Sequence, residues 1–330
     1  MADLFSLASS NLTSPIILCF ALGLAAAMAR SDLSVPEAVA KGLSIYLLFA
    51  IGVKGGVSVS SYGFSSSLVA ALVAGALLSA ALPLLAFALL RFFVKLDRLN
   101  AAAVAGHYGS ISIVTFVAAS SVLESQGLDA EGYLVAVAAI MEAPAILSAL
   151  WLVARGSDSG KQNAGSRMDN SLWREILLNG SIVLLIGSFI VGIIAGEDGM
   201  AEIESFIVSP FKGVLCLFML DMGLVAGRSL LQSGRLVSAR LVAFGILMPV
   251  LGACIAVPVT LMLGLSTGGA ALLMVLCASA SYIAVPAAMR VALPEANPGI
   301  YLTASLGITF PFNLVVGIPL YLAIAETIIG

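Results

Sequence analysis

The side chains able to do chemistry gather in two short clusters inside otherwise apolar stretches. The first is Gly106-His107-Tyr108-Gly109-Ser110-Ile111-Ser112-Ile113-Val114-Thr115. The second is Cys277-Ala278-Ser279-Ala280-Ser281-Tyr282-Ile283-Ala284-Val285-Pro286. Each places hydroxyls beside residues that interrupt helices. Glycine weakens a helix by about 1 kcal/mol against alanine, and interior proline by about 3 kcal/mol. Gly106, Gly109 and Pro286 are therefore the expected break points. A broken helix frees backbone N–H and C=O groups. Its new N-terminus presents partial positive charge to an anion, while freed carbonyls and hydroxyls suit sodium. Ser110, Ser112 and Thr115 can form one wall of such a site, and Ser279 and Ser281 the other. The competing explanation is that small residues simply let helices pack closely. Recurrence at matching places in the two halves of the chain favours a site.

Two carboxylates also interrupt apolar runs. An Asp at the centre of a membrane helix costs about 3 kcal/mol, so it needs a compensating reason. Glu142 stands in Ala139-Ile140-Met141-Glu142-Ala143-Pro144, beside a proline that should open the helix. It can bind sodium, carry a proton, or act as a hydrogen-bonded packing carboxylate. Asp221, in Phe218-Met219-Leu220-Asp221-Met222-Gly223, divides between the same roles. Asn313 follows Pro311 in the corresponding part of the second half, and its amide oxygen suits sodium or an interhelical hydrogen bond. His107 can sense pH, contact substrate, or bond to a neighbouring helix. The four cysteines, Cys19, Cys216, Cys254 and Cys277, follow no metal-ligand spacing and are expected to be small buried hydrophobes.

These residues need elements to hold them, and composition says what kind. Hydrophobic residues make up 61% of the 330 and charged residues 10%, with mean hydropathy +1.12. So few charges cannot coat a soluble domain, for which roughly 25% is usual, and lipid must be the main solvent. No basic cluster with interleaved aromatics suggests nucleic acid. No nucleophile–base pair, metal cluster or phosphate loop suggests an enzyme. No Lys or Arg precedes Arg30, so the first apolar run is expected to be retained rather than cleaved as a secretory signal.

About ten segments are long and apolar enough to span a bilayer: 12–29, 42–59, 66–93, 101–121, 133–154, 176–195, 206–226, 236–263, 269–291 and 299–328. The third, eighth and tenth are long and must tilt, kink or protrude. With the N-terminus outside, only Lys54 and Lys212 of the 15 basic residues fall on the outer side. That bias fits the positive-inside rule and puts both termini outside. A hydrophilic linker over 156–172 lies inside. It divides a first five-helix repeat (1–155) from a second (173–330). Residues 47–52 align with 218–223, and Gly56 with Gly227, at a spacing of 171, while Tyr133-Leu134 aligns with Tyr301-Leu302 at 168. Five helices per half force the repeats into opposite orientations, an arrangement common in transporters.

The chain resembles the sodium-dependent bicarbonate transporter family best known from cyanobacteria. The resemblance covers essentially its whole length. It is carried by Gly109-x-x-Ser112-x-x-Thr115 leading to Leu123-Glu124, by Met141-Glu142-Ala143-Pro144, and by Ala278-Ser279-x-Ser281 with Pro286, Arg290, Pro294 and Ala296-Asn297-Pro298. It implies an all-α membrane protein of two inverted five-helix repeats, in which discontinuous helices 4 and 9 cross. It implies sodium-coupled symport of a small anion, bicarbonate first, across the bacterial inner membrane. By resemblance and residue chemistry together, the substrate is expected at Gly109, Ser110, Ser112, Ser279 and Ser281. Sodium is expected at Thr115, Glu142, Ser281 and Asn313. A trimer and a PII-like regulatory partner on the inner face are further implications. The chain departs from the cyanobacterial pattern at Tyr282, where those members carry an acidic residue, and at the apolar pair Ile113-Val114. Another small carboxylate is therefore an alternative cargo. A cation/proton antiporter and a membrane sensor that only binds an anion are the alternative functions.

Overall fold

The computed structural model describes residues 13–62, 65–154, 180–233, 238–282 and 284–330. The linker expected over 156–172 lies outside the described residues. All the described elements are helical. They are α1 Pro15–Met28, α2 Glu37–Tyr62, α3 Ser66–Leu89, α4 Arg98–Gly109, α5 Ile113–Ser125, α6 Leu134–Ile140, α7 Glu142–Ala154, α8 Gly180–Ile207, α9 Phe211–Ser233, α10 Ala239–Leu263, α11 Thr267–Ala278, α12 Ala284–Ala292, α13 Pro298–Leu302, α14 Phe310–Phe312 and α15 Ile318–Ile329. Short π-helical turns at Leu90–Val94, Thr303–Thr309 and Asn313–Gly317 extend α3 and join α13, α14 and α15 into one long helix.

Several helix starts follow directly from sequence. Ser65, Asp97, Ser112, Ser238 and Ser266 each accept a hydrogen bond from the backbone N–H three residues on, which satisfies one of the donors that a helix start leaves free. Among the described residues six stretches are long and apolar enough to cross a membrane, and the bent pair of α8 and α9 supplies a seventh candidate. α1 and α11, at 14 and 12 residues, are apolar but shorter than the roughly 20 residues a full span requires. The chain is a multi-pass membrane protein.

The helices fall into two packed groups. In one, α1 lies along α9 and α2 lies along α8, and α2 also touches α9. Glycine makes these approaches possible. A Cβ on Gly23 would collide with the Leu220 carbonyl, and one on Gly223 with the Phe20 carbonyl. Gly56 meets the Phe189 carbonyl, and Gly192 the Val53 carbonyl, in the same way. Small residues let membrane helices gain close backbone contact where burial from water gives no drive. Gly223 meets Phe20 while Gly227 meets Leu24 and Ala27, so α1 runs parallel to α9, and Gly56 lies against Gly192 while Ser61 donates to Glu197, so α2 runs parallel to α8. The topology expected from the positive-inside bias has the same relation, with segments one and seven directed inward and segments two and six outward.

In the other group α3, α4 and α7 pack together, and α10, α11 and α15 form a second set. The two broken helices exchange their second halves between these sets. α5 packs on α11, and α12 packs on α4 and α7.

The long tenth segment is a single helix with two π-helical turns, and α8 changes direction at Gly196, whose φ of 62° is open to glycine at little cost. The glycine contacts carry a stability test. Gly223→Leu forces a side chain into the Phe20 carbonyl, and such overpacking costs about 1–3 kcal/mol. It should lower the melting temperature of the purified protein in detergent. Gly42→Ala, where nothing lies within 4 Å of the added Cβ, should leave it unchanged or higher.

Candidate functional site

The two polar clusters meet. The first break runs through Ser110, Ile111 and Ser112, between α4 and α5. The second begins at Ser279, after α11, and includes Ala280, Ser281 and Tyr282 before α12 starts at Ala284. Ser110 and Ser279 leave their helices with the same backbone geometry, φ −84° and ψ 162° in one and φ −84° and ψ 163° in the other.

Gly109 marks the first break, whereas Gly106 and Pro286 each miss by about one turn. α4 runs unbroken through Gly106, where the missing side chain accommodates Ala149 and Met289. Gly109 is the last helical residue, and a Cβ there would strike Pro83 and the Ser79 carbonyl of α3. Its glycine requirement in this fold is close packing. Pro286 lies in the first turn of α12 rather than at a break, and Pro144 lies in the first turn of α7. A proline has no N–H, and the first-turn N–H groups lack helical partners anyway. Its ring clashes with the carbonyl four residues back, so the interruption falls at Tyr282 in one case and just after Ile140 in the other.

The breaks bond to each other reciprocally. The Ser112 N–H donates to Ser279 Oγ at 2.9 Å, and the Ser281 N–H donates to the His107 carbonyl at 2.8 Å. His107 Nδ1 lies 2.5 Å from the Ser281 carbonyl, which fixes its proton on that nitrogen as donor. The ring stacks on Tyr301 at 4.8 Å. Ser279 Oγ donates in turn to the Leu276 carbonyl at 3.0 Å. Ser112 Oγ caps α5, accepting from the Thr115 N–H at 3.2 Å and the Thr115 hydroxyl at 2.9 Å. The Val285 N–H points to Ser281 Oγ at 3.4 Å. Tyr282 closes the second break with its ring edge-on to Phe310 at 5.1 Å.

Two further residues reach this crossing from neighbouring segments. Glu142, the first residue of α7, accepts from Ser110 Oγ at 3.1 Å. Asn313 donates through its amide nitrogen to the Ala278 carbonyl at 2.9 Å, and its oxygen accepts from the Tyr321 hydroxyl at 2.9 Å. Each thus touches the C-terminal end of the first half of a broken helix. Asn313 Oδ1 keeps one lone pair beyond the bond from Tyr321. All the polar residues of the site are nearly inaccessible, with Glu142 the most exposed at 7%.

The structure therefore brings together Gly109, Ser110, Ser112, Thr115, Glu142, Ser279, Ser281 and Asn313 in one bonded assembly. Asp221, buried on α9, has no hydrogen bond or ion pair to them among the described residues. His107 is more deeply involved than its sequence position suggests. The available signal was its location one turn before the break, where its carbonyl loses a helical partner.

Chemically, the crossing offers both signs of partial charge. The starts of α5 and α12 direct N–H groups toward it. The ends of α4 and α11 direct carbonyls, and serine and threonine hydroxyls add oxygen ligands. A small anion and a hard cation can be held side by side in such a place.

Comparison with curated proteins finds no match. Comparison with known families aligns residues 15–326 with the Na+-dependent bicarbonate transporter superfamily. Membership of a transporter family sets enzymatic roles aside. With nearly the whole chain matched and a pair of mutually bonded helix breaks in its interior, this protein belongs to the Na+-dependent bicarbonate transporter superfamily.

Proposed function

We propose that the chain is a sodium-coupled symporter that carries a small anion, bicarbonate first, inward across the bacterial inner membrane. The observation that carries this reading is the reciprocal bonding of the two breaks, which sets two helix starts and two helix ends around one point. The anion binds at the starts of α5 and α12, with Gly109, Ser110, Ser112, Ser279 and Ser281 around it. Sodium binds among Thr115, Glu142, Ser281 and Asn313. Glu142 supplies a formal negative charge, and the serine and threonine hydroxyls supply neutral oxygens.

Coupling follows from electrostatics. Two ions of opposite sign a few ångströms apart in a medium of low dielectric attract strongly, so each raises the affinity for the other. The Ser110–Glu142 hydrogen bond joins the two subsites, because Ser110 borders the anion and Glu142 the cation.

The same reading assigns the chain ten membrane segments in two inverted repeats. The parallel pairs α1 with α9 and α2 with α8, the equal dihedrals at Ser110 and Ser279, and the matched roles of Glu142 and Asn313 support it. Both termini then face outward.

Radiolabelled bicarbonate uptake into proteoliposomes tests the function. Wild-type protein should concentrate bicarbonate under an inward sodium gradient and fail to do so when potassium or choline replaces sodium. The Ser112→Ala/Ser281→Ala double variant should lose at least about ten-fold in uptake, because two hydroxyl ligands disappear at roughly 1 kcal/mol each. Uptake that ignores sodium would remove the coupling. No uptake from folded protein would remove bicarbonate and turn the search to small carboxylates.

A second variant separates the subsites. Glu142→Gln keeps the shape and a hydrogen-bond acceptor for Ser110 but removes the charge. It should raise the half-saturating sodium concentration about ten-fold or more, since hydrogen bonds and contacts to charged groups are worth about 1.5–3 kcal/mol. An unchanged sodium dependence in this variant would take Glu142 out of the cation site.

A further inference from the structure

Away from the crossing, charged residues converge on one cavity of about 240 Å³. It opens at the end of the molecule that the charge distribution assigns to the outside. Lys54 of α2 and Phe211 of α9 form one wall. α5 forms the other, from Phe116 through Ser120 and Ser121 to Glu124. The walls belong to the two different helix groups, and an ion pair joins them. Lys54 Nζ lies 3.3 Å from Glu124 Oε1 and 4.9 Å from the centre of the Phe211 ring. Lys212 Nζ, at 3.9 Å from Glu124 Oε2, is a looser partner. Lys54 is the shielded member of the pair, its side chain 28% accessible against 53% for Glu124.

The other carboxylate that faces the cavity with a known role is already engaged. Glu131 accepts from the Ser266 N–H at 2.7 Å and the Ser266 hydroxyl at 3.1 Å, so it holds the start of α11. Asp129 also lines the cavity but is exposed, so the Lys54–Glu124 pair is the charge held between the two walls. Below it, Ser120 and Ser121 face the cavity one turn nearer the crossing, and buried Phe116 forms the floor. α5 then continues down to Thr115 and Ser112. Glu124 lies twelve positions beyond Ser112 along this helix, a path of about 18 Å.

We propose that this cavity is an outer access site at which one sodium ion and one small monovalent anion together replace the Lys54–Glu124 ion pair. Sodium takes the Glu124 carboxylate, with the Ser120 and Ser121 hydroxyls at hand, and the anion takes the Lys54 ammonium. This rests on the sodium–anion reading of the preceding subsection. Sodium alone on Glu124 would leave Lys54, the shielded partner against the Phe211 ring, without its counter-charge. An oppositely charged couple exchanges with the pair at constant net charge. The Phe211 ring holds the ammonium in position during the exchange.

The test measures bicarbonate KM and half-saturating sodium separately, in proteoliposomes containing the full chain. Lys54→Met should raise the bicarbonate KM about ten-fold, the usual consequence of losing a charge-assisted hydrogen bond. Lys54→Arg should restore it to within about three-fold, since the charge remains. Glu124→Gln should raise half-saturating sodium by a similar factor. Its bicarbonate KM should stay level or fall, because Lys54 is released. A pair that merely ties α2 to α5 predicts the same change from either substitution, since both break the tie. Identical shifts in the two variants, or no shift in either, would overturn the access site. Sodium-independent uptake by the wild-type chain would instead overturn the symport reading beneath it, so the two failures are told apart by which protein shows them.

Discussion

A backbone inside lipid has no water to satisfy its N–H and C=O groups, and an unbonded one costs several kcal/mol. A helix broken at membrane depth is therefore viable only if something else in the protein bonds the freed groups. Here each break is the other's solution. The Ser112 N–H goes to Ser279, the Ser281 N–H goes to His107, and the Ser281 carbonyl receives His107 Nδ1. Removing one break would leave the other with orphaned polar groups. That mutual dependence explains why both are built with the same dihedrals, from chain positions 169 residues apart. It also explains why α5 and α12 must cross to the opposite helix set, since only there can each break face its partner.

The matched positions are not chemically equal, and the inequality carries the functional argument. Glu142 and Asn313 both reach the end of a first half-helix, one at Ser110 and the other at the Ala278 carbonyl. One brings a formal charge and the other a neutral amide already bonded at both ends. Two similarly built helix breaks with a single carboxylate between them have one side suited to a cation. The proposed sodium subsite lies there for that reason, and the anion subsite falls to the helix starts. Tyr282, buried against Phe310, stands where the cyanobacterial relatives that the chain resembles carry a second acid. With a neutral ring in its place, the carboxylate of Glu142 becomes the only formal negative charge bonded into the crossing among the described residues.

Much of this was legible in the chain, and the failures have physical causes. Hydropathy found the third segment over 66–93 against an observed 66–94, because lipid demands a long apolar run and Ser65 caps its start. The serine clusters marked both breaks. Gly109 lies at the first break, but Gly106 and Pro286 do not mark breaks themselves, for reasons that propensity alone does not state. Pro286 keeps Tyr282, four residues upstream, out of the helix through its clash with a carbonyl, and Gly106 serves packing against Ala149 and Met289. The bonds between Ser112 and Ser279, or between Asn313 and Ala278, were not legible at all. They join residues 167 and 35 positions apart, and hydropathy has no term for partnership.

The same contacts divide the molecule into parts that differ in stiffness. Along α1 with α9, and α2 with α8, backbone touches backbone through glycine, and no side chain is available to repack. At the crossing, buried hydrogen bonds lock the two breaks. Neither assembly can deform without losing many contacts at once. Between them, by contrast, the outer cavity is spanned by an ion pair of long, accessible side chains, the kind of contact worth little and readily exchanged. If the chain carries its cargo by alternating access, displacement must occur where contacts are cheapest to replace. The crossing would then travel as a rigid body against the glycine-packed group, with its two subsites intact. Coupling requires that behaviour. A crossing that came apart during the movement would separate sodium from the anion and let either cross alone.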